Sequence, residues 1–202
     1  MPSSAIIRRA ALYDFGVWLL TRGRERRFRE RLLEPVRLQA GEAVLDVGCG
    51  TGTLAILAKR KLGAAGSITG IDPSPAMIAR ARSKARRAGV DIQFDAAAAE
   101  ALPFPNAQFD VVLCTVMLHH VRRVVRPAVL TEIGRVLKPG GRVLLADFVF
   151  GKRRSLVGIL HHHHGLNGSE LSDLATGAGM RTDEQGALGM WDLQYVIARG
   201  HS

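Results

Sequence analysis

The run Val44-Leu45-Asp46-Val47-Gly48-Cys49-Gly50-Thr51-Gly52 concentrates more potential chemistry than any other stretch of the chain. Glycine at alternate positions lets a backbone turn tightly and approach a ligand closely, because no Cβ stands in the way. A dinucleotide loop follows G-x-G-x-x-G, which would require glycine at position 53, where Thr53 stands. Gly48, Gly50 and Gly52 give G-x-G-x-G instead, and Asp46 lies two residues before the first of them. A carboxylate there repels a pyrophosphate and favours a cation. Further on, Gly70-Ile71-Asp72 closes a second apolar run. An acid at such a strand end is placed to accept both hydrogen bonds of a ribose diol. Its plain structural alternative is an N-cap ahead of Pro73-Ser74-Pro75. Taken as a pair, the two acids ask for a ligand that is both nucleoside-like and positively charged. S-adenosylmethionine, with its ammonium and sulfonium, meets both conditions.

Other residues are candidates for chemistry on a bound acceptor. His119 and His120 are adjacent, and imidazole is the side chain poised to exchange a proton near neutral pH. Their structural alternative is one ring capping a helix and the other packing beneath the acceptor. His161–His164 form a tract in which four neighbours cannot all face one ion. No acid or cysteine lies close in sequence, so no metal site is expected there. The two cysteines, Cys49 and Cys114, sit in apolar segments; two thiols make no disulfide framework and fit a reduced, cytoplasmic protein.

The elements that must position these residues follow from the pattern. Ala43–Val47, Ser67–Ile71, Val90–Phe94, Phe109–Val116 and Arg142–Phe148 read as strands. Thr53–Leu62, Pro75–Ala88 and Arg123–Leu137 read as helices, stopped by Gly63, Gly89 and Pro139-Gly140-Gly141. Alternation at this pitch builds a parallel sheet covered on both faces. The tail differs: a helix over Glu170–Ala178, then Met180–Ala187 and Leu193–Ala198 as an antiparallel pair through Gly189. Residues 1–40, with Tyr13, Phe15, Trp18, Leu19 and many arginines, are expected to cover the open edge of the sheet.

The chain has 202 residues, 47% apolar and 23% charged, which excludes disorder along most of its length. Its longest apolar run, Val111–Leu118, is far short of a membrane span. Met1–Ala11 has neither the apolar stretch nor the small-residue cleavage site of a secretory signal. Lys and Arg number 28 against 18 Asp and Glu, a net charge of +10. Basic clusters at 1–40, at 80–87 and at Lys152-Arg153-Arg154 are either solvated helix faces or surfaces that meet phosphate or anionic lipid. Aromatic residues are not interleaved with the basic ones, which argues against a nucleic-acid partner.

In these stretches the chain resembles the class I S-adenosylmethionine-dependent methyltransferases of the small-molecule type, near those of ubiquinone and menaquinone biosynthesis. The resemblance is carried by the Asp46–Gly52 loop and by Gly70-Ile71-Asp72-Pro73-Ser74 with Met77. It continues through Ala101-Leu102-Pro103-Phe104-Pro105, Phe109-Asp110-Val111-Val112, Leu118-His119-His120-Val121 and Arg135-Val136-Leu137-Lys138-Pro139-Gly140-Gly141. It is dense over residues 40–150 and loose on either side. It implies a Rossmann-like, doubly wound α/β fold. The seven-stranded sheet would be mostly parallel, with one antiparallel strand near the C-terminus. It implies an N-terminal helical lid over 1–40 and an S-adenosylmethionine-binding domain over 41–202. Carried over position by position, Asp46 with Gly48, Cys49, Gly50 and Gly52 would hold the methionine part. Asp72 would hold the ribose, Pro73 and Met77 would flank the adenine, and Tyr13 would serve the lid. Ala98, Ala99, Glu100 and Thr115 would complete the cofactor's surroundings. One position departs from the family, since Ala98 stands where an acid commonly receives the adenine amino group. Asp95 lies three residues early for that role. The implied activity is in-line methyl transfer to a small, lipophilic acceptor, with His119 or His120 as base and peripheral membrane contact through the lid. A nucleic-acid-directed methyltransferase and a cofactor-binding scaffold without its own turnover stay open as alternatives.

Overall fold

The computed structural model describes residues 25–149, 166–189 and 192–200. In chain order the elements are α1 (Glu25–Leu33), β1 (Ala43–Val47), α2 (Thr53–Leu62), β2 (Ser67–Asp72), α3 (Pro75–Ala88), β3 (Gln93–Ala96) and β4 (Phe109–Thr115). A short 3-10 turn (Leu118–His120) leads to α4 (Arg126–Val136), β5 (Leu137–Phe148), α5 (Gly168–Gly177), β6 (Arg181–Ala187) and β7 (Leu193–Arg199). One seven-stranded sheet runs β3-β2-β1-β4-β5-β7-β6. Its first five strands pair in parallel, and β7 is antiparallel to both of its neighbours. The fold and its single antiparallel strand are those expected.

Strand periodicity builds two cores from one sheet. Val44, Val111, Leu113 and Leu144 face α1, α2 and α3, meeting Phe28, Leu32, Leu54, Ala58, Ile78 and Ala81. Their neighbours Leu45, Val112, Cys114 and Leu145 face α4 and α5, meeting Val129, Leu130, Ile133, Leu171 and Ala175. The order reverses between β1 and β4, and the crevice at their carboxyl ends is where a doubly wound sheet binds ligands.

Three boundaries move by three residues or more from the sequence reading. The third strand begins at Gln93 rather than Val90, because Gly89 takes a left-handed φ of 63° and Val90 N–H still donates to Ala85 O, extending the cap of α3. The α4 helix begins at Arg126, after a turn closed by Val125 N–H to Arg122 O at 2.9 Å. The fifth strand starts at Leu137 rather than Arg142, directly after α4 ends at Val136, and residues 138–141 bulge out between the pairs Phe109–Leu137 and Val111–Arg142.

The described part of the expected lid is fastened to the sheet. Phe28, Leu32, Leu33 and Val36 are buried in the first core. Half-buried Arg142 donates to Val36 O at 2.8 Å and to Arg37 O at 3.0 Å, and pairs with Glu42 at 2.7 Å. Tyr13 and Trp18, with the rest of residues 1–24, lie outside the described residues, as do His161–His164 and Lys152-Arg153-Arg154.

Candidate active site

The glycine loop hangs from the end of β2. Gly48 N–H and Cys49 N–H both donate to Ile71 O, at 2.9 and 2.8 Å, so two loop amides are committed to the fold. Gly48, Gly50 and Gly52 have φ of 73°, 54° and 75°, the left-handed region that glycine enters without strain. Close packing excludes side chains as well. A Cβ on Gly48 would stand 2.4 Å from Met117 Cγ, and one on Gly52 would stand 2.9 Å from Ala81 Cβ. Lys84 donates to the hydroxyl groups of Thr51 and Thr53, tying the far side of the loop to α3.

Asp72 holds the loop from the other strand. Its Oδ2 accepts from Gly50 N–H at 3.1 Å and its Oδ1 from Ser74 N–H at 2.9 Å. Each oxygen keeps a second lone pair, so the carboxylate pins the loop and still has capacity for a diol. Burial raises Asp72 above the usual carboxylate range, and its two backbone hydrogen bonds work against that rise. Ser74 is the N-cap of α3, accepting from Met77 N–H. Pro73 is exposed, and Met77 is buried in the helix's first turn.

Asp46 is the anomaly of the crevice. It is 1% exposed, and its Oδ2 is buried with no hydrogen-bond partner among the described residues. A buried carboxylate oxygen is expected to be paired, so an orphan of this kind marks a place for a ligand donor. Burial pushes the Asp46 carboxyl up to about 7, with Arg29 pulling it down and Asp72 pushing it further up. A cationic donor placed there would relieve it. A cradle of turned glycines between two acids, one orphaned and one on a ribose-accepting strand end, fits the nucleoside-like cation expected from the sequence.

A third acid completes this edge. Asp147, fully buried near the end of β5, accepts from His119 N–H through Oδ2 at 2.9 Å. Its Oδ1 meets His119 Nδ1 at 2.6 Å. Nδ1 therefore carries the proton in the neutral ring, which leaves Nε2 as the basic nitrogen. The exposed His120 ring lies over it at 3.8 Å between centroids, and Phe148 meets it edge-on. Val116 turns the chain into this loop with a φ of 53°, a strained value for a β-branched residue, and its N–H donates to Ala146 O at 2.7 Å. The turn lays Met117 on Gly48, two residues ahead of His119. Arg126 is buried nearby, donating to Val121 O at 3.1 Å. Burial pulls it below its usual value and Asp147 works against that.

Asp46, the glycine loop, Asp72, His119 and His120 thus converge on one end of the sheet, with half-buried Thr115 at the end of β4. The stretch expected from the sequence to border the adenine is different. Asp95 is engaged by Arg82 at 3.3 Å and by Gln93 at 2.7 Å. Ala98 and Glu100 are exposed, and Ala99 packs on the second core. Sequence reasoning missed Asp147 and Arg29. Asp147 carried the signal that marked Asp46 and Asp72, an acid closing an apolar strand. Arg29 had none, being one of nine arginines in the first forty residues.

A methyltransferase-domain family model matches residues 44–141, from β1 to the bulge of β5. The chain is 40% identical over 127 residues to the 27-O-demethylrifamycin SV methyltransferase of Amycolatopsis mediterranei, covering 61% of this chain and 44% of that protein. It is 37% identical over 153 residues to the ubiquinone/menaquinone biosynthesis C-methyltransferase UbiE of Bdellovibrio bacteriovorus, covering 73% and 63%. The match spans less than two thirds of either relative's length. Among solved structures, a SAM-dependent methyltransferase from Aquifex aeolicus superimposes with a TM-score of 0.74 at 22% identity, covering 85% of this chain and 88% of that one, and shares the fold.

Proposed function

We propose that this chain, which belongs to the class I S-adenosylmethionine-dependent methyltransferases, methylates a hydroxyl-bearing, lipophilic small molecule. S-adenosylmethionine is the cofactor of this family, and when bound it supplies a methyl group already activated by its sulfonium. The residues at hand have three tasks. Asp46 receives the ammonium, and Arg29 beside it offers a counter-charge to the neighbouring carboxylate of the methionine part. Asp72 receives the ribose diol while holding the Gly50 and Ser74 amides, so ligand and loop are positioned by one group. Pro73, Met77 and the Ala98–Glu100 stretch border the adenine, held by packing and backbone contacts.

The third task is proton removal. A hydroxyl, or the ring carbon of a phenol, must lose a proton when it takes the methyl, and a positioned imidazole can accept it. His119 is that base in this reading, because Asp147 fixes its tautomer and orients it from a fully buried site. In-line alignment and exclusion of water supply the rest. The observation that carries the proposal is the 2.6 Å His119–Asp147 pair at the glycine-loop end of the sheet. The two named relatives act by name on a rifamycin and on quinones, both small organic molecules. We place the enzyme in the cytoplasm; among the described residues no helix is long and apolar enough to cross a membrane.

Asp147→Asn tests it. Calorimetry with S-adenosylhomocysteine should show cofactor-product affinity within about threefold of the parent, while kcat on a phenolic acceptor falls at least about a hundredfold. Unchanged kcat would remove the base. Tight binding with no turnover of any acceptor by the parent enzyme would favour a scaffold.

A further inference from the structure

The charge of this protein is unevenly placed. The helices α1, α2 and α3 pack side by side on one face of the sheet and contain twelve Lys and Arg against two Glu, a net +10. That equals the net charge of the whole chain. The helices on the opposite face, α4 and α5, hold Arg126, Glu132, Arg135, Glu170 and Asp173, one negative charge in excess. No acidic residue occurs in α2 or α3.

Some of these cations have work inside the fold. Lys59 caps its own helix end through Gly63 O and Gly66 O, Lys84 ties the glycine loop, and Arg82 is taken by Phe94 O and Asp95. Arg60, Lys61, Arg86 and Arg87 are exposed at the ends of α2 and α3, and no carboxylate pairs with them among the described residues. Placing like charges together in this way is unfavourable for a free surface, and an anionic partner offsets it.

We propose that the α1–α3 face docks on the anionic surface of a lipid bilayer. Two features favour a bilayer over a nucleic acid. Among the described residues α1, α2 and α3 carry no exposed aromatic side chain, their one aromatic residue, Phe28, being buried, so these helices offer nothing for base stacking. Three helices lying in one layer also form a broad face without an element that enters a groove. Such a face matches a flat sheet of phosphates, where each basic side chain adds to the attraction within a Debye length. This docking site is separate from the cofactor crevice and does not depend on the reaction proposed above.

The experiment is sedimentation of the full chain with vesicles of phosphatidylcholine alone and of phosphatidylcholine containing phosphatidylglycerol. Binding is expected to the anionic vesicles only and to fall steeply between about 0.1 and 0.5 M salt. Arg60→Gln with Lys61→Gln, and separately Arg86→Gln with Arg87→Gln, should each lower the partition coefficient about thirtyfold with an unchanged far-UV circular dichroism spectrum. Arg122→Gln with Arg123→Gln, two charges ahead of α4, should change it less than about threefold. Equal binding to neutral vesicles, no loss in the α2 and α3 variants, or an equal loss in the control would overturn the proposal. So would capture of duplex RNA or DNA by a protein that ignores the anionic vesicles.

Discussion

Asp46 makes the affinity for a cationic ligand depend on pH in a window where few carboxylates titrate. In the free protein burial pushes its carboxyl up to about 7. An ammonium placed against the orphan Oδ2 favours the ionised form, so binding releases whatever proton Asp46 carries. At about pH 7 the free carboxyl is half protonated, and near pH 6 about nine-tenths protonated, so affinity should fall roughly fivefold across that unit. The ligand's own α-amino group, titrating at about 7.7–8.0, remains charged throughout. Calorimetry with S-adenosylhomocysteine in two buffers of different ionisation enthalpy should detect about half a proton released near pH 7. Asp46→Asn should bind weakly and without that slope. The same substitution bears on stability. A folded-state value raised by about three units over the ordinary 3.8 means that stability, full below about pH 4, is lost as pH climbs through 7. From about pH 5 to about pH 8 the free Asn variant should gain roughly 2–3 kcal/mol on the parent in denaturant melts. Flat affinity between pH 7 and 6 with no proton release, or an Asn variant that gains nothing as pH rises, would refute the reading of Asp46 as a strained cation receptor.

Asp72→Ala removes the acceptor for Gly50 and Ser74 along with that for the ribose, and should weaken S-adenosylhomocysteine binding by about 3 kcal/mol in calorimetry. Asp95→Ala, which breaks only a surface contact to Arg82 and Gln93, should stay within about 0.5 kcal/mol. Deleting residues 1–24 should leave a cooperative thermal transition, because Phe28, Leu32, Leu33 and Val36 remain in place, while acceptor turnover is lost or loses selectivity. Deleting 1–33 should destabilise the domain by several kcal/mol, as roughly expected when three large core side chains are removed together.

How far the sequence disclosed this site follows from how local each cause is. The glycine loop was legible because left-handed φ at three alternating positions leaves a mark that only glycine can make. Asp46 and Asp72 were legible because an acid closing a buried parallel strand stands at the ligand end of the sheet. The antiparallel β7 followed from a tail that alternates without an intervening helix. Three things depended on tertiary contacts and were not visible. The narrow apolar stripe of Phe28, Leu32, Leu33 and Val36 is hidden among arginines, so a core helix read as a charged cover. The start of β3 depends on where β2 offers partners, beginning at the pair Thr69–Gln93. The His119–Asp147 pair joins residues 28 apart in sequence through the parallel pairing of β4 and β5 and the turn at Val116.

A protein of charge +10 that receives a cationic cofactor poses an electrostatic problem, which the fold resolves by distance. Cys114 lies between the two ends of the crevice: burial pushes its thiol up, and Asp147 and Asp46 push it further, so it stays neutral and offers no thiolate chemistry. The groups that set the potential of the crevice are therefore the three acids, with Arg29 and Arg126 as close counter-charges and Lys84 on the far side of the glycine loop. The exposed cations of α2 and α3 gather at the helix ends remote from the glycine loop, since each helix starts at the crevice and runs away from it. Over the 14 residues of α3 that separation approaches about 20 Å, twice the roughly 8–10 Å Debye length of physiological salt. Buried carboxylates act through a low dielectric at contact distance, whereas those arginines act through screened solvent. The crevice can thus attract a sulfonium and an ammonium while the far end of the same helices attracts phosphate. Moving a single cation inward, as in Ala98→Lys at the adenine border, should weaken cofactor binding severalfold, whereas Ala64→Lys at the end of α2 should leave it within about twofold in the same calorimetric assay. Equal effects at both positions would show that net charge, rather than its placement, governs the site.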